Sequence, residues 1–321
     1  MTDLLEQISV IAVYSTIAVY TIAFIAFTLD LARRSAPAPV AVAATSTTAS
    51  GSVGGRTTLL TRLATDAPGD DAAKMSGALR AAMALTIVGF VLHVVAVVLR
   101  GIAAGYAPWS NMYGFALTAT AIAVGVFLFA QFWQDLRFLG AYILGFSVVF
   151  MGLAATNFYV PITPQPVALQ SIWLVVHVFV AILATAFFAM GAGLSIAQLL
   201  QARRETTGAG PRFLETLPTA EQLENLAYRV ILIGFVFWTF TLIAGAIWAK
   251  FAWSRYWGWD TKEVWTFIIW VIFAGYIHAR ATRGWRGSRS AWLAMIGFAA
   301  VLFNFTIVNL FFKGLHVYSG L

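Results

Sequence analysis

The amino-acid sequence predicts an all-α, polytopic integral membrane protein with about eight transmembrane helices. Of its 321 residues, 60% are hydrophobic and only 10% are charged, whereas about a quarter of the residues in soluble domains are charged. About eight windows reach the roughly 20 mostly apolar residues that a spanning helix needs. No window shows the alternation of a half-buried strand. The composition therefore excludes a soluble globular fold.

The eight predicted helices follow one another along the chain, with the first in residues 1–34. This first window is not a cleaved secretory signal, because Asp3 and Glu6 stand where a signal carries basic residues. Arg33 and Arg34 follow the window instead. The windows lie near Ser9–Leu29, Ala81–Leu99, Met112–Phe132, Phe138–Ala155, Ile172–Leu199, Val230–Trp248, Val264–Ala279 and Ala291–Phe312.

Two longer connections separate these helices. Residues 35–78 are rich in Ala, Ser, Thr, Gly and Pro and bury too little apolar surface to offset their ordering entropy, which predicts a flexible cytoplasmic linker. In the second connection, Glu205–Leu226, a helix is predicted to start at Thr219, because a Thr cap precedes Glu221 in the first turn.

The basic residues predict the orientation of the chain. If the N-terminus is outside, the inner connections contain most of the arginines, and the outer connections keep only Arg100, Lys250, Arg255, Lys262 and Lys313. This positive-inside bias places both termini, and the connection between helices six and seven, on the outer side. The net charge of +7 then reflects topology and contact with anionic lipids, not a nucleic-acid partner.

The outer connection between helices six and seven lies in a segment that is unusually rich in tryptophan. An anchor at the membrane interface uses one or two such rings. Six rings in so short a span predict a surface that holds a flat, aromatic, amphipathic ligand. The chain has no cysteine, which excludes disulfides, thiolate metal sites and covalent thioether attachment of a cofactor to this chain. The rings are Trp248, Trp253, Trp257, Trp259, Trp265 and Trp270.

Four histidines lie in or at the ends of apolar windows: His93, His177, His278 and His316. Ionisable groups at membrane depth are costly and by default mark a functional site, although each imidazole could simply be neutral and bonded to a neighbouring helix. His177 and His316 are predicted at the outer end, near the tryptophan segment. Two imidazoles facing each other over aromatic rings suit haem iron, which takes axial ligands on both sides of its plane. Zinc would favour closely spaced histidine pairs, which the sequence lacks.

Five segments together carry a resemblance to a known family: Gly105–Tyr113 (GYAPWSNMY), Leu223–Arg229 (LENLAYR), Gly245–Ala249 (GAIWA), Tyr256–Glu263 (YWGWDTKE) and Asn304–His316. They resemble the CcsA/ResC subunit of the system II cytochrome c biogenesis machinery, a haem-handling superfamily with a tryptophan-rich WWD domain. The similarity runs from about Leu79 to the C-terminus. Residues 79–321 are therefore expected to form a cytochrome c assembly domain with the WWD loop at 248–265.

The resemblance implies haem binding and haem transport. In such proteins haem b reaches an outer WWD site, where it is attached through thioether bonds to the CxxCH motif of apocytochrome c. His177 and His316 match the outer iron ligands of the family. His93 and His278 match a second pair, within the membrane, that takes haem on its way out. The loop residues expected along the macrocycle are Trp253, Tyr256, Trp257, Trp259 and Asp260.

The resemblance also implies partners and a location. The partners are a ResB/Ccs1-type membrane protein, apocytochrome c, the lipid bilayer and, indirectly, thioredoxin-like reductants of apocytochrome c; no nucleic acid is expected. The location is the bacterial plasma membrane, or a thylakoid-type membrane in a plastid or cyanobacterium. The chain would be a subunit of a holocytochrome c synthase, or haem lyase, and its activity without the partner is left open.

The sequence departs from the family pattern at two positions. Ser254 replaces the glycine of WGxYW and Thr261 replaces the proline of WDPKE, but neither change removes a ligand or a ring. Asp260 keeps three possible roles: an acceptor for a histidine, a partner of Lys262 or Arg255, or the N-cap of helix seven.

The inner histidine pair poses a problem of depth. His278 lies about 3 Å along its helix from Arg280 on the inner side, whereas His93 lies about 20 Å along its helix from Arg80 on the inner side. A single flat haem reaches both only if a helix is tilted or broken. Two other functions also remain open: a b-type haem electron-transfer or quinol oxidoreductase subunit, and a small-solute transporter in which Asp260 lies on the path.

Overall fold

The computed structural model of the chain describes residues 2–35, 76–282 and 284–316. These ranges form an all-α fold, and eight of their helical segments are long and apolar enough to cross a membrane. The predicted fold class and helix number are confirmed. The helices are α1 (Thr2–Ser35), α2 (Gly77–Ala104), α3 (Met112–Ala130), α4 (Gly140–Asn157), α5 (Ile172–Thr207), α6 (Ala220–Trp253), α7 (Thr261–Ala281), α8 (Ser288–Phe305) and the short α9 (Ile307–Phe311).

Side-chain caps explain where several helices start. Thr219 caps α6, where it forms a reciprocal capping box with Gln222, as the sequence predicts. Asn111 caps α3, because its Oδ1 accepts a hydrogen bond of 2.8 Å from the Gly114 amide. A Cβ atom on Gly114 would overlap the carbonyl group of Pro108. The GYAPWSNMY segment therefore folds tightly over the start of α3.

The last predicted helix, Ala291–Phe312, is not continuous. It ends at Phe305, and Thr306 separates it from α9. The side chain of Thr306 bonds back to the Leu302 carbonyl at 2.7 Å, and β-branched residues follow it, which are weak helix formers. His316 consequently lies on a non-helical segment that follows α9. The predicted linker 35–78 lies outside the described residues, apart from its two ends.

The described helices pack around two large apolar cores, and a smaller cluster contains Leu169, Leu174 and Trp248. The first lies between α1, α2, α3 and α4 and includes Tyr20, Phe27 and Leu117. The second lies between α5, α6, α7 and α8, where the rings of Phe188 and Phe273 stack with centroids 3.7 Å apart. Helix α5 contributes to both cores. Outward faces carry exposed large apolar side chains, as expected of helices in lipid.

A buried carboxylate joins α6, α7 and α8 at one end of the bundle. Glu224 accepts hydrogen bonds from Arg280, from the Gly287 amide at 2.9 Å and from Ser290 at 3.2 Å. Removing one partner of a buried, hydrogen-bonded charge is strongly destabilising. The LENLAYR segment therefore holds α6, α7 and α8 together at this end of the bundle. The tryptophan segment lies at the other end of α6.

Candidate functional site

A cavity of about 230 Å³ lies between α3, α4, α5, α6, α7 and α8, at the end of the bundle that carries the tryptophan segment. Most of its wall is apolar, with Met112 and Phe115 among the lining residues. His177 and His316 both line it. The two histidines that the sequence assigns to one outer site thus face one cavity, although 139 positions separate them.

Helix α6 fixes the orientation of His177. The Nδ1 atom of this imidazole lies 3.0 Å from the Thr241 carbonyl oxygen. Since a carbonyl only accepts, Nδ1 carries the hydrogen and Nε2 keeps its lone pair. One turn further along α6, a Cβ atom added to Gly245 would lie 2.7 Å from His177 Cε1. The ring therefore occupies space that only glycine leaves open, which explains the glycine of the GAIWA segment.

Asp260 fixes the orientation of His316. The Nδ1 atom of His316 lies 3.1 Å from Asp260 Oδ1, and the second carboxylate oxygen accepts from the Leu315 amide at 2.7 Å. The hydrogen bond with His316, followed by those from the Lys262 and Leu315 amides, lowers the pKa of Asp260 to about 2. The carboxylate is thus an ionised acceptor at neutral pH, so Nδ1 of His316 carries a hydrogen, and in the neutral imidazole the lone pair is on Nε2.

Asp260 fills two of the three roles that the sequence leaves open. It caps α7 through a 2.9 Å bond to the Lys262 amide, in a capping box completed by Glu263, and it also accepts from His316. The Lys262 side chain bonds to Asn309 instead. The start of α7 and the orientation of His316 therefore both depend on the carboxylate of Asp260.

Trp248 lies against both histidines. Its ring centroid is 5.9 Å from that of His177, nearly parallel at 13°, and 5.6 Å from that of His316. The indole is only 1% exposed. Trp253 packs behind it, 4.7 Å from both Trp248 and His316. The sequence analysis included Trp248 in the aromatic surface but did not predict its contact with both histidines. The spacing of Thr241, Gly245 and Trp248 places them on one helix face.

The loop between α6 and α7 borders the mouth of the cavity. Tyr256 and Trp257 line the cavity, and Tyr256 is 60% exposed. Trp259 is not among the lining residues; it is 77% exposed and meets Trp257 edge-on at 5.8 Å. Glu263 closes the loop by accepting from the Gly258 and Asp260 amides at 2.8 and 3.1 Å.

The structure does not bring His93 and His278 together. His93 is fully buried, with its Nδ1 atom 3.4 Å from the Tyr20 hydroxyl, in the part of α2 that packs against α1. His278 is exposed in the last turn of α7, which packs on α6 and α8. Neither residue lines the cavity of the outer pair.

Ser254 adopts a left-handed conformation with φ of 60° at the end of α6. This conformation costs a non-glycine residue about 1 kcal/mol or more. We expect Ser254→Gly to raise the melting temperature of the detergent-solubilised protein, by an amount equivalent to about 1 kcal/mol. Ser254→Ala keeps the backbone strain and serves as the control. Equal melting temperatures for the Gly and Ala variants would contradict this account.

Comparisons with known proteins identify the family of the chain. The family model described as "Cytochrome C assembly protein" matches residues 109–316. The chain is similar to the "Cytochrome c biogenesis protein CcsA" of Microcystis aeruginosa, with 35% identity over 273 residues, 68% of this chain and 81% of the relative. It is similar to the protein of the same description from Guillardia theta, with 36% identity over 240 residues, 69% of this chain and 80% of the relative.

A solved structure shares the fold. "Cytochrome c Heme Lyase CcmF" superposes with a TM-score of 0.63 and 17% identity, over 94% of this chain and 46% of that chain. This chain thus corresponds to less than half of that protein, and at this identity the likeness concerns the fold. The family match covers the helices and loops that form the cavity, from Trp109 to His316. The chain therefore belongs to the CcsA family of cytochrome c assembly proteins.

Proposed function

We propose that this chain is the haem-carrying membrane subunit of a cytochrome c synthase, which holds haem b in the outer cavity and presents it to the CxxCH motif of apocytochrome c. One observation supports the proposal most strongly. His177 and His316 face one cavity, and each has its Nδ1 atom engaged by a protein acceptor. In the neutral imidazoles this leaves the lone pairs on the two Nε2 atoms, as two axial ligands of one haem iron require.

The two proposed ligands have acceptors of different strength. His316 bonds to a carboxylate and His177 to a backbone carbonyl. An ionised acceptor strengthens the hydrogen bond and makes the imidazole a better electron donor. His316 is thus expected to be the stronger donor to iron, although it lies on the non-helical segment after α9.

The aromatic residues have a separate task. Trp248 backs both imidazoles, and Tyr256 and Trp257 border the opening. Large rings bury apolar area against a macrocycle and exclude water from it. The haem, as substrate, supplies the vinyl groups across which the thiol S–H bonds of apocytochrome c add. The chain itself orients the macrocycle and excludes water from it.

We also propose that the cavity opens on the outer side of the membrane. The basic connections lie at the opposite end of the bundle, where Arg34 at the end of α1 bonds to Thr216 and Arg280 ends α7 near Glu224. Such residues favour the inner side. On this orientation a ResB-type partner and apocytochrome c approach from the outside. His93 and His278 stay a proposed inner pair, which needs a rearrangement or the partner to share one haem.

Coexpression tests the proposed function. The chain, a ResB-type partner and a c-type cytochrome with one CxxCH motif are produced together in a host that lacks its own cytochrome c assembly proteins. We expect covalent haem on the cytochrome, detected by haem staining of denaturing gels, only when both membrane proteins are present. Full maturation without this chain would contradict the proposal. Haem-dependent quinol oxidation without covalent attachment would favour the b-type electron-transfer alternative.

A further inference from the structure

One corner of the outer cavity carries a cluster of polar side chains that bond to one another. It is formed by α7, α8 and α9, which contribute Lys262, Thr266, Asn304 and Asn309 to the lining. Lys262 Nζ donates to Asn309 Oδ1, and Asn304 Nδ2 lies 3.4 Å from Thr266 Oγ1. Apolar pockets with a few convergent polar groups usually use those groups to fix the orientation of a ligand.

Lys262 forms no salt bridge in the part of the chain that the structure describes, although the charge of Asp260 acts on its ammonium group. The nearby carboxylates are engaged elsewhere: Asp260 with His316 and two amides, and Glu263 with two loop amides. An ammonium group has three donors, and Asn309 takes one of them. The charge facing the cavity is therefore suited to an anionic ligand, because a half-buried cation needs a counter-charge.

Asn304 provides a second, independent sign of a ligand. Its side chain is 4% exposed and lines the cavity, and its Oδ1 atom has no hydrogen-bond partner among the described residues. A buried acceptor without a donor costs free energy, so such atoms normally bind water or ligand. A water molecule there can donate one hydrogen to Asn304 Oδ1 and the other to an anionic ligand beside Lys262.

We propose that Lys262, with Asn304 and Asn309, binds the two propionate groups at one edge of the haem. This inference rests on the proposed function, because it concerns the in-plane orientation of a haem held by His177 and His316. A propionate oxygen accepts from Lys262 Nζ, and a water on Asn304 hydrates the same group. The edge of the macrocycle that carries the vinyl groups is then directed away from this corner.

Paired titrations test the carboxylate subsite. The full chain, purified with its ResB-type partner and freed of haem, is titrated with haem and with haem dimethyl ester, and binding is followed by the absorption of bis-imidazole haem. We expect the wild type to bind haem about tenfold more tightly than the ester, the effect of one charge-assisted hydrogen bond. Lys262→Met should remove this preference, so that haem and its ester bind with equal affinity.

Two further variants control the experiment. Lys262→Gln retains a hydrogen-bond donor for Asn309 without the charge, and it should lose the preference as the Met variant does. Lys313→Met removes a charge from an exposed side chain that does not line the cavity, and it should keep the preference. Equal binding of haem and ester by the wild type, or a preference that persists in both Lys262 variants, would overturn the inference. If neither probe gives a bis-imidazole spectrum in the wild type, the proposed function fails instead.

Discussion

Replacing His177 or His316 by alanine is expected to lower covalent haem attachment to cytochrome c by more than about a hundredfold, while the chain still folds and inserts. Loss of a partner that merely orients a metal ligand costs about 10- to 100-fold in affinity or activity, and removal of the ligand itself should cost more. Both side chains border a cavity, so their truncation enlarges existing space and leaves the helix contacts in place. The measurement is haem staining of the coexpressed cytochrome, normalised to the membrane level of the chain.

Chemical rescue separates ligation from folding in this experiment. His316→Gly leaves room for free imidazole near Asp260, and added imidazole is expected to restore part of the haem binding. The same rescue at His177 is expected to be weaker, because the ring there is enclosed by Gly245 and Trp248. Normal maturation in either alanine variant without added imidazole would contradict the assigned ligands.

Adding one methyl group at Gly245 is expected to lower maturation about 10- to 100-fold. The new Cβ atom would lie 2.7 Å from Cε1 and 2.9 Å from Nδ1 of His177, so the imidazole has to leave its bond with Thr241 and its stacking on Trp248. A displacement of about 1 Å in a reacting assembly can cost two orders of magnitude. The expected result for Gly245→Ala is a loss of haem retention in the purified protein, measured as haem per chain.

Gly152→Ala is the matched control. Gly152 lies within α4, and among the described residues no atom outside the adjoining turns of this helix lies within 4 Å of a Cβ atom built on it. Since alanine is the better helix former, this variant is expected to retain haem and to melt at the same or a slightly higher temperature. Equal haem retention by the Gly245 and Gly152 variants would show that the contact between Gly245 and His177 does not position the ligand.

Local features of the sequence were sufficient to predict the helices and to place His177 and His316 at the same end of the bundle. Apolar windows fix spanning segments because the requirement for internal hydrogen bonding leaves few alternatives in a membrane. Counting helices then places His177 and His316 at one end of the bundle. The cap at Thr219 was predictable for a similar reason, since it depends on residues within one turn.

Other features depend on long-range packing and could not be predicted. The break at Thr306 gives His316 its non-helical segment, yet the window continues to Phe312 without an obvious stop. The position of Trp248 against both imidazoles depends on how α5 and α6 lie side by side. The dual role of Asp260 depends on a contact 56 positions away along the chain. Burial of His93 against Tyr20 likewise follows from the packing of α1.

The most direct test of the outer site is the spectrum of the purified chain with its ResB-type partner, combined with the haem content. The wild type is expected to contain a low-spin haem with two imidazole ligands. His177→Ala and His316→Ala should each lose one low-spin haem equivalent, either as released haem or as a five-coordinate, high-spin species. A low-spin bis-imidazole haem that persists at full content in both variants would contradict the assignment of His177 and His316.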